Sequence, residues 1–309
     1  MVGAAPDRQG VGMAAMSIDV EDWFQVENLK GAIPRAEWDR CELRVERNTA
    51  RILEILDGCG ARATFFVLGW VAERCPELVC TITAAGHEVA SHGYGHELVY
   101  LLRPSEFRDD VLRSKHQLED LTGRPIRGYR APSFSITDWA VPILQEAGFE
   151  YDSSFVPTIA HDRYGRLNGM DAGRPIVCLR EGFYEAGVSC MRIGRRGIPW
   201  GGGGYFRLVP YRLWCWGVRA ILRSGRPYVF YLHPWEIDPG QPRVESLDAV
   251  KRFRHRVNLY RCEERFTSFV GAFEWMPIGE LIDSWNASHR SAEATLLDGE
   301  ISAGSAGVH

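Results

Sequence analysis

The sequence predicts an α/β fold, a distorted parallel (β/α) barrel of about seven strands with an irregular C-terminal extension. Strand-like and helix-like segments alternate from Met16 to Tyr151, and repeated β-then-α units imply a parallel sheet joined by right-handed crossovers. The side chains with chemical potential, Asp19, His92, Arg130, Asp152 and His233, fall at or just past the C-terminal ends of five different strands. A barrel of parallel strands gathers its site there, whereas a doubly wound sheet concentrates it at one switch point. With 309 residues, 45% of them hydrophobic, the chain can build the core that such a barrel needs.

The elements follow in order. Met16 to Val20 reads as a buried strand that runs into acids, and Arg47 to Leu56 as a helix with Ile52, Leu53, Ile55 and Leu56 on a broad apolar face. Gly58 and Gly60 stop that helix. Ala63 to Leu68 is rich in β-formers. Pro76 opens a helix that Gly86 closes, and His87 to Ser91 returns as a strand. Ser105 can cap a helix running to Leu121, with Phe107, Val111, Leu118 and Leu121 on one face and Gly123 at its exit. Ile126 to Tyr129 is a short strand, Thr137 can cap the next helix, and Phe149 to Tyr151 is the strand after it. Tyr228 to Leu232 is the last clear strand; the stretch from Ser154 to Tyr228 loses the alternation and reads as irregular insertions. The expected division is a disordered tail over 1–16, a barrel over 17–240, an extension packed on it over 241–285, and a second disordered tail over 286–309.

Composition excludes several functions. A net charge of -4 argues against a general nucleic-acid binder, which is usually basic, although Arg192, Arg195 and Arg196 form a local cluster. No apolar run approaches the roughly 20 residues that span a bilayer. Met1 to Met16 lacks the apolar segment of a secretory signal, so the expected compartment is the cytoplasm, with the inner membrane face as a place of work. The eight cysteines have no zinc-finger spacing and read as reduced thiols.

The chemistry centres on His92 and His96. Four-residue spacing brings both rings to one side of a helical turn, where they can share a metal; two ordinary histidines are the commoner outcome for such a pair alone. Upstream, Asp19-Val20-Glu21-Asp22 ends a strand, and buried carboxylates there are costly unless solvated, paired or bound to a metal. Together they supply two imidazoles and a carboxylate, a three-ligand set that leaves room for water, and a second acid as general base. Arg130, at a strand end before Pro132, suits a two-pronged hold on a carboxylate. His233 closes a very apolar strand and is a candidate general acid. The run Gly201 to Gly204 lacks the lysine and spacing of a phosphate loop, and reads as a flexible lid flanked by Trp200, Tyr205 and Phe206.

These residues together resemble the polysaccharide deacetylase family, the NodB-homology carbohydrate esterases. Ser91-His92-Gly93-Tyr94-Gly95-His96 resembles its metal-binding His-Ser/Gly-x-x-His motif, Arg130-Ala131-Pro132 its Arg-x-Pro motif, Tyr151-Asp152-Ser153-Ser154 its Tyr-Asp-Ser-Ser motif, and Leu232-His233 its Leu-x-His motif. Asp19 to Val26 and Gly201 to Arg207 are similar to the exopolysaccharide deacetylases associated with exosortase (PEP-CTERM) sorting in bacteria. The family pattern has adjacent aspartates, a base and then a ligand, where this chain has Asp19, Glu21 and Asp22. Alternation along a strand puts Asp19 and Glu21 on one face, making Asp19 the base and Glu21 the ligand, with Asp22 as the alternative ligand.

The resemblance implies hydrolysis of N-acetyl groups on hexosamine units during bacterial exopolysaccharide synthesis, on an oligo- or polysaccharide or a lipid-linked precursor. It implies a divalent metal, zinc foremost, held by Glu21, His92 and His96. Asp19, Arg130 and His233 are then catalytic, with Tyr129, Asp152 and Trp235 beside the substrate. Two other readings use the same residues: a hydrolase of small amides or cyclic ureides, and a non-catalytic carbohydrate-binding homologue.

Overall fold

The computed structural model describes residues 12–157, 164–170, 173–193 and 196–289. In chain order the elements are β1 (Ala14–Val20), α1 (Val45–Gly58), β2 (Thr64–Val67), α2 (Gly69–Arg74), α3 (Pro76–Ala84), β3 (Glu88–Ser91), α4 (Pro104–Thr122), β4 (Gly128–Tyr129), α5 (Ala140–Glu146) and β5 (Tyr151–Asp152). They continue through β6 (Ile176–Arg180), β7 (Phe183–Ala186), β8 (Cys190–Ile193), β9 (Arg196–Pro199), α6 (Gly203–Leu208), α7 (Tyr211–Arg223), β10 (Tyr228–Leu232), α8 (Ala249–Arg256) and α9 (Cys262–Val270). A last helix runs over 278–289.

The main sheet has the order β10-β1-β2-β3-β4-β5-β7-β6. Seven of its strands are parallel, and β6 adds an antiparallel edge on β7. This is the α/β fold with a curled parallel sheet that the alternation predicts. The gap between its two ends is bridged by an irregular segment. Val188 N donates to Phe155 O at 2.8 Å, Ser189 N to Val229 O at 3.2 Å, and Tyr231 N to Gly201 O at 2.7 Å.

That bridge corrects the reading of the glycine run. Gly201, Gly202 and Gly203 are buried, and a Cβ at Gly202 or Gly203 would collide with Tyr231 on β10. Both also have positive φ, 140° and 56°, which only glycine adopts without strain. The run is a close backbone crossing against β10, not a lid. Trp200 and Phe206 belong to the core. The region expected to be irregular instead holds four strands and two helices; Arg195 lies outside the described residues.

Alternation along the strands decides what reaches the barrel interior. Ala15, Phe66, Ala90, Tyr151, Ala186 and Val229 form an inner apolar cluster, closed from below by Ile278, Leu281 and Ile282 of the last helix. Gly128 leaves space for the Tyr151 ring, which a Cβ there would strike. The last helix is fastened at its start: Ile278 N donates to Thr64 Oγ1 at 2.7 Å and Gly279 N to Glu88 Oε2 at 3.0 Å. Its course to residue 289 lies partly in the expected C-terminal tail, and β1 likewise starts at Ala14, inside the expected N-terminal one. Leu281 is fully buried, so Leu281→Ala is expected to lower stability by about 2–5 kcal/mol, measured by urea unfolding.

Candidate active site

At the C-terminal end of the sheet, Glu21, His92 and His96 offer one ligand atom each, all within 4.8 Å of one another. β1 delivers Glu21 through a turn in which Glu21 N donates to Asp19 O at 3.0 Å. β3 delivers His92, whose Nδ1–H donates to Arg130 O at 2.9 Å, leaving Nε2 free as a ligand. His96 arrives by a loop and not by the helical turn that its spacing suggested. Gly93 has φ 71° and His96 itself φ 55°, and Asp110 of α4 holds the loop by accepting from Tyr94 N at 2.8 Å and Gly95 N at 3.0 Å.

The three side chains fit a divalent cation. His96 Nε2 and Glu21 Oε2 come within 2.6 Å, yet Glu21 Oε2 is a buried oxygen with no hydrogen-bond partner among the described residues. An imidazole nitrogen and a buried carboxylate oxygen converging in this way, beside a second imidazole, suit a cation. Burial pushes the His92 pKa down to about 4, against the opposing pull of Asp19, so this ring stays neutral, as a ligand must be. Burial also pushes Glu21 up, but His96 and His233 outweigh it and bring the carboxyl down to about 2.

Asp19 and Arg130 form the second part. Arg130 is fully buried and all its nitrogens are used. Nη1 donates to Asp19 Oδ1 at 2.6 Å and Ser17 Oγ at 2.8 Å, Nε to Ser153 O at 2.8 Å, and Nη2 to Ser153 Oγ at 2.8 Å. Its guanidinium lies over the Phe66 ring, 4.1 Å from the centroid. Asp19 is thereby fixed through Oδ1, and Oδ2 is turned toward His233 Nε2, 3.9 Å away. The two-pronged hold expected of Arg130 is a single contact to Asp19, its other donors going to Ser17 and Ser153.

His233 anchors the third part. Nδ1 pairs with Glu236 Oε1 at 2.8 Å, and Nε2 lies 3.6 Å from Glu21 Oε1. Glu236 is in turn paired with buried Arg207 of α6 at 2.7 Å. Burial disfavours the His233 imidazolium, but Glu21, Glu236 and Asp19 overcome it and raise its pKa to about 9. Trp235 stacks on His233 on one side and His255 on the other, and its Nε1 donates to Glu21 Oε1 at 3.1 Å. Glu236, Arg207, His255 and Asp110 were not singled out in the sequence. Only Glu236 left a local trace there, three residues after His233 across Pro234, where it closes a capping box.

A cavity of about 540 Å³ opens over these groups. Asp19, Glu21, His92, His96, His233 and Trp235 all line it, joined by Tyr164, Tyr205 and Tyr231. Tyr129, Asp152 and Asp22 do not, and for the first two strand parity is the reason. Arg130 and Ser153 point inward, so Tyr129 and Asp152 point out. Tyr129 packs between Phe107 and Phe149, and Asp152 accepts from Ser154 Oγ at 2.6 Å. Asp22 accepts from Trp23 N, Arg44 N and Val45 N at 2.7, 2.7 and 2.9 Å, which ties it to the start of α1.

Asp152 forms a buried carboxyl pair with Glu185. Burial, then the Asp152 charge, pushes Glu185 well above its ordinary value, so the folded chain holds a proton there that the unfolded chain releases near 4.5. Stability from this pair is complete below that value and declines as pH rises toward the folded pKa. Glu185→Gln, which supplies a permanent donor, is expected to be increasingly favoured over the parent chain between pH 5 and about 8. Urea unfolding at the two pH values checks the sign.

Residues 37–151 match the family model "Polysaccharide deacetylase", and residues 153–283 match "Domain of unknown function (DUF3473)". A peptidoglycan deacetylase-like protein of Gibberella zeae is 34% identical over 128 residues, covering 41% of this chain and 36% of that one. The peptidoglycan deacetylase of Helicobacter pylori is 34% identical over 106 residues, covering 34% and 36%. The chain thus spans little more than a third of the length of these relatives. A crystal structure from Mycobacterium smegmatis, of a protein assigned to the polysaccharide deacetylases, superposes with a TM-score of 0.58 at 24% identity, covering 93% of this chain and 94% of that one, and shares the fold. His92, His96 and Arg130 lie in the first matched segment and Arg207, His233, Trp235 and Glu236 in the second, while Asp19 and Glu21 precede both. Residues 37–151 are thus similar to the polysaccharide deacetylase family, over a little more than a third of the chain.

Proposed function

We propose that this chain is a metal-dependent hydrolase that removes acetyl groups from N-acetylhexosamine units during bacterial exopolysaccharide synthesis, as in the exosortase-associated subgroup it resembles. The observation that carries the reading is one cavity holding a Glu-His-His set beside an arginine-fixed carboxylate and a carboxylate-paired imidazole. A divalent ion, zinc foremost, would be held by Glu21, His92 and His96 and would supply Lewis acidity at the acetamide carbonyl and the attacking water.

The remaining steps belong to the chain. Arg130 holds Asp19 in place through Oδ1, so Oδ2 can take the proton of the attacking water. Glu236 fixes the Nδ1 side of His233, and Nε2 can then give a proton to the nitrogen as the carbon–nitrogen bond breaks. Protonation there matters because an amide nitrogen leaves poorly as an anion. Trp235 holds Glu21 in place through Nε1 and offers a ring edge to the cavity. A cavity of this size with Tyr164, Tyr205 and Tyr231 on its walls suits a sugar better than a small cyclic ureide. A non-catalytic role would be expected to have lost a ligand or the base, and all are present.

Acetate release from N-acetylated glucosamine oligomers, compared with turnover of acetamides and cyclic ureides, tests the substrate. Release from the oligomers at a rate at least tenfold above the small amides is expected, and the reverse order would refute the reading.

A further inference from the structure

The mouth of the cavity carries apolar surface that chemistry on a hexosamine does not require. Leu208, at the end of α6, is 53% exposed, and Val250 and Phe253 on α8 are each 59% exposed. All three line the same cavity as Asp19 and Glu21. Val250 and Phe253 are three residues apart and so share one helix face. Arg254 lines the mouth beside them, exposed and without a carboxylate partner among the described residues. The other cations of α8 are engaged: Lys251 pairs with Asp248 at 3.3 Å, Arg252 donates to Leu247 O at 3.3 Å, and Arg256 donates to Pro239 O at 3.1 Å.

The segment that supplies Leu208 is rich in cations. From Gly187 to Trp235 the sequence has eight arginines and no aspartate or glutamate, in a chain of net charge -4. A mouth that combines aliphatic side chains with an unpaired guanidinium fits a ligand that is both greasy and anionic. A free polysaccharide would leave Leu208 and Val250 facing water, and three side chains are far too few for a protein interface of about 800 Å² per partner.

We infer that the mouth is a subsite for a lipid phosphate, with the first part of a polyprenyl-type chain on Leu208, Val250 and Phe253 and the phosphate on Arg254. The sugar on that phosphate would reach inward to Asp19 and His233. This choice of a lipid-linked sugar rests on the deacetylase reading for the identity of the sugar, and on the mouth alone for the lipid phosphate.

The test uses the full chain without metal. A fluorescent short-chain polyprenyl phosphate, below its micelle-forming concentration, is titrated by anisotropy, with the uncharged prenol, inorganic phosphate and anionic phosphatidylglycerol vesicles as parallel probes. Saturable binding is expected, weakened about tenfold or more in Val250→Ser/Phe253→Ser and in Arg254→Ala, with circular dichroism unchanged. The uncharged prenol and inorganic phosphate should each bind at least about tenfold more weakly. Unchanged affinity in both variants, or equal affinity for one of the simpler probes, overturns the subsite. So does vesicle binding that is lost in the variants without saturable binding of the monomeric lipid phosphate, which would make the patch a membrane contact. No acetate is measured here, so failure of the deacetylase reading leaves this result standing, and failure of lipid binding leaves acetate release untouched.

Discussion

Asp19→Asn is expected to reduce acetate release by about 10²–10⁴-fold. The substitution keeps the shape of the side chain and removes the carboxylate proposed to take a proton from water in the cavity. Asp19 Oδ1 is committed to Arg130 at 2.6 Å, so proton transfer falls to Oδ2. An asparagine amide cannot accept that proton. Metal affinity should change far less, because the proposed ligands are Glu21, His92 and His96. Zinc binding by calorimetry, measured beside the rate, separates loss of the base from loss of the metal. A variant that still binds zinc and retains more than about a tenth of the parent rate would contradict the role given to Asp19.

Arg130→Met is expected to destabilise the fold by about 3–5 kcal/mol. Arg130 is fully buried and its donors satisfy four acceptors, on Asp19, Ser17 and Ser153. Removing the guanidinium strands the Asp19 carboxylate and orphans the Ser153 carbonyl between strands β1 and β5. Methionine fills much of the volume, so the loss measures the uncompensated charge and not a cavity. Arg130→Lys is expected to recover only part of it, since one ammonium cannot match three planar donor directions. Urea unfolding of Arg130→Met together with the Asp19→Asn/Arg130→Met double variant checks the cause. The double variant should be less impaired than the sum of the singles, because it leaves no buried charge unpaired.

Side-chain parity along the strands is legible in the sequence, and it places part of the site. Asp19 and Glu21 both line the cavity as strand alternation suggests, although Glu21 gets there by the turn that follows β1 and not on the strand itself. Applied to β4 and β5, that rule excludes Tyr129 and Asp152 once Arg130 and Ser153 are inside; motif membership alone pointed the other way. The helical spacing of the histidine pair points to the right residues for a geometric reason that does not hold, since positive φ at Gly93 and His96 makes the segment a loop and not a helical turn. α7 was missed even though Trp214, Val218, Ile221 and Leu222 form a buried stripe. Gly217, which makes room for the Trp200 indole, and the glycine run ahead of it masked the helical period. Arg207 was out of reach of any local pattern, because its partner Glu236 lies 29 residues on. Such buried ion pairs are set by tertiary packing.

Metal-dependent release of acetate is the property on which the proposed function rests. The chain is stripped with a chelator, dialysed, and assayed on N-acetylated glucosamine oligomers before and after one equivalent of zinc. Release is expected to be abolished by stripping, restored by zinc in the parent chain, and not restored in His92→Ala or His96→Ala, because each variant removes one of the three proposed ligands. Full acetate release by the stripped protein, or zinc rescue of the two histidine variants to the parent rate, would contradict it.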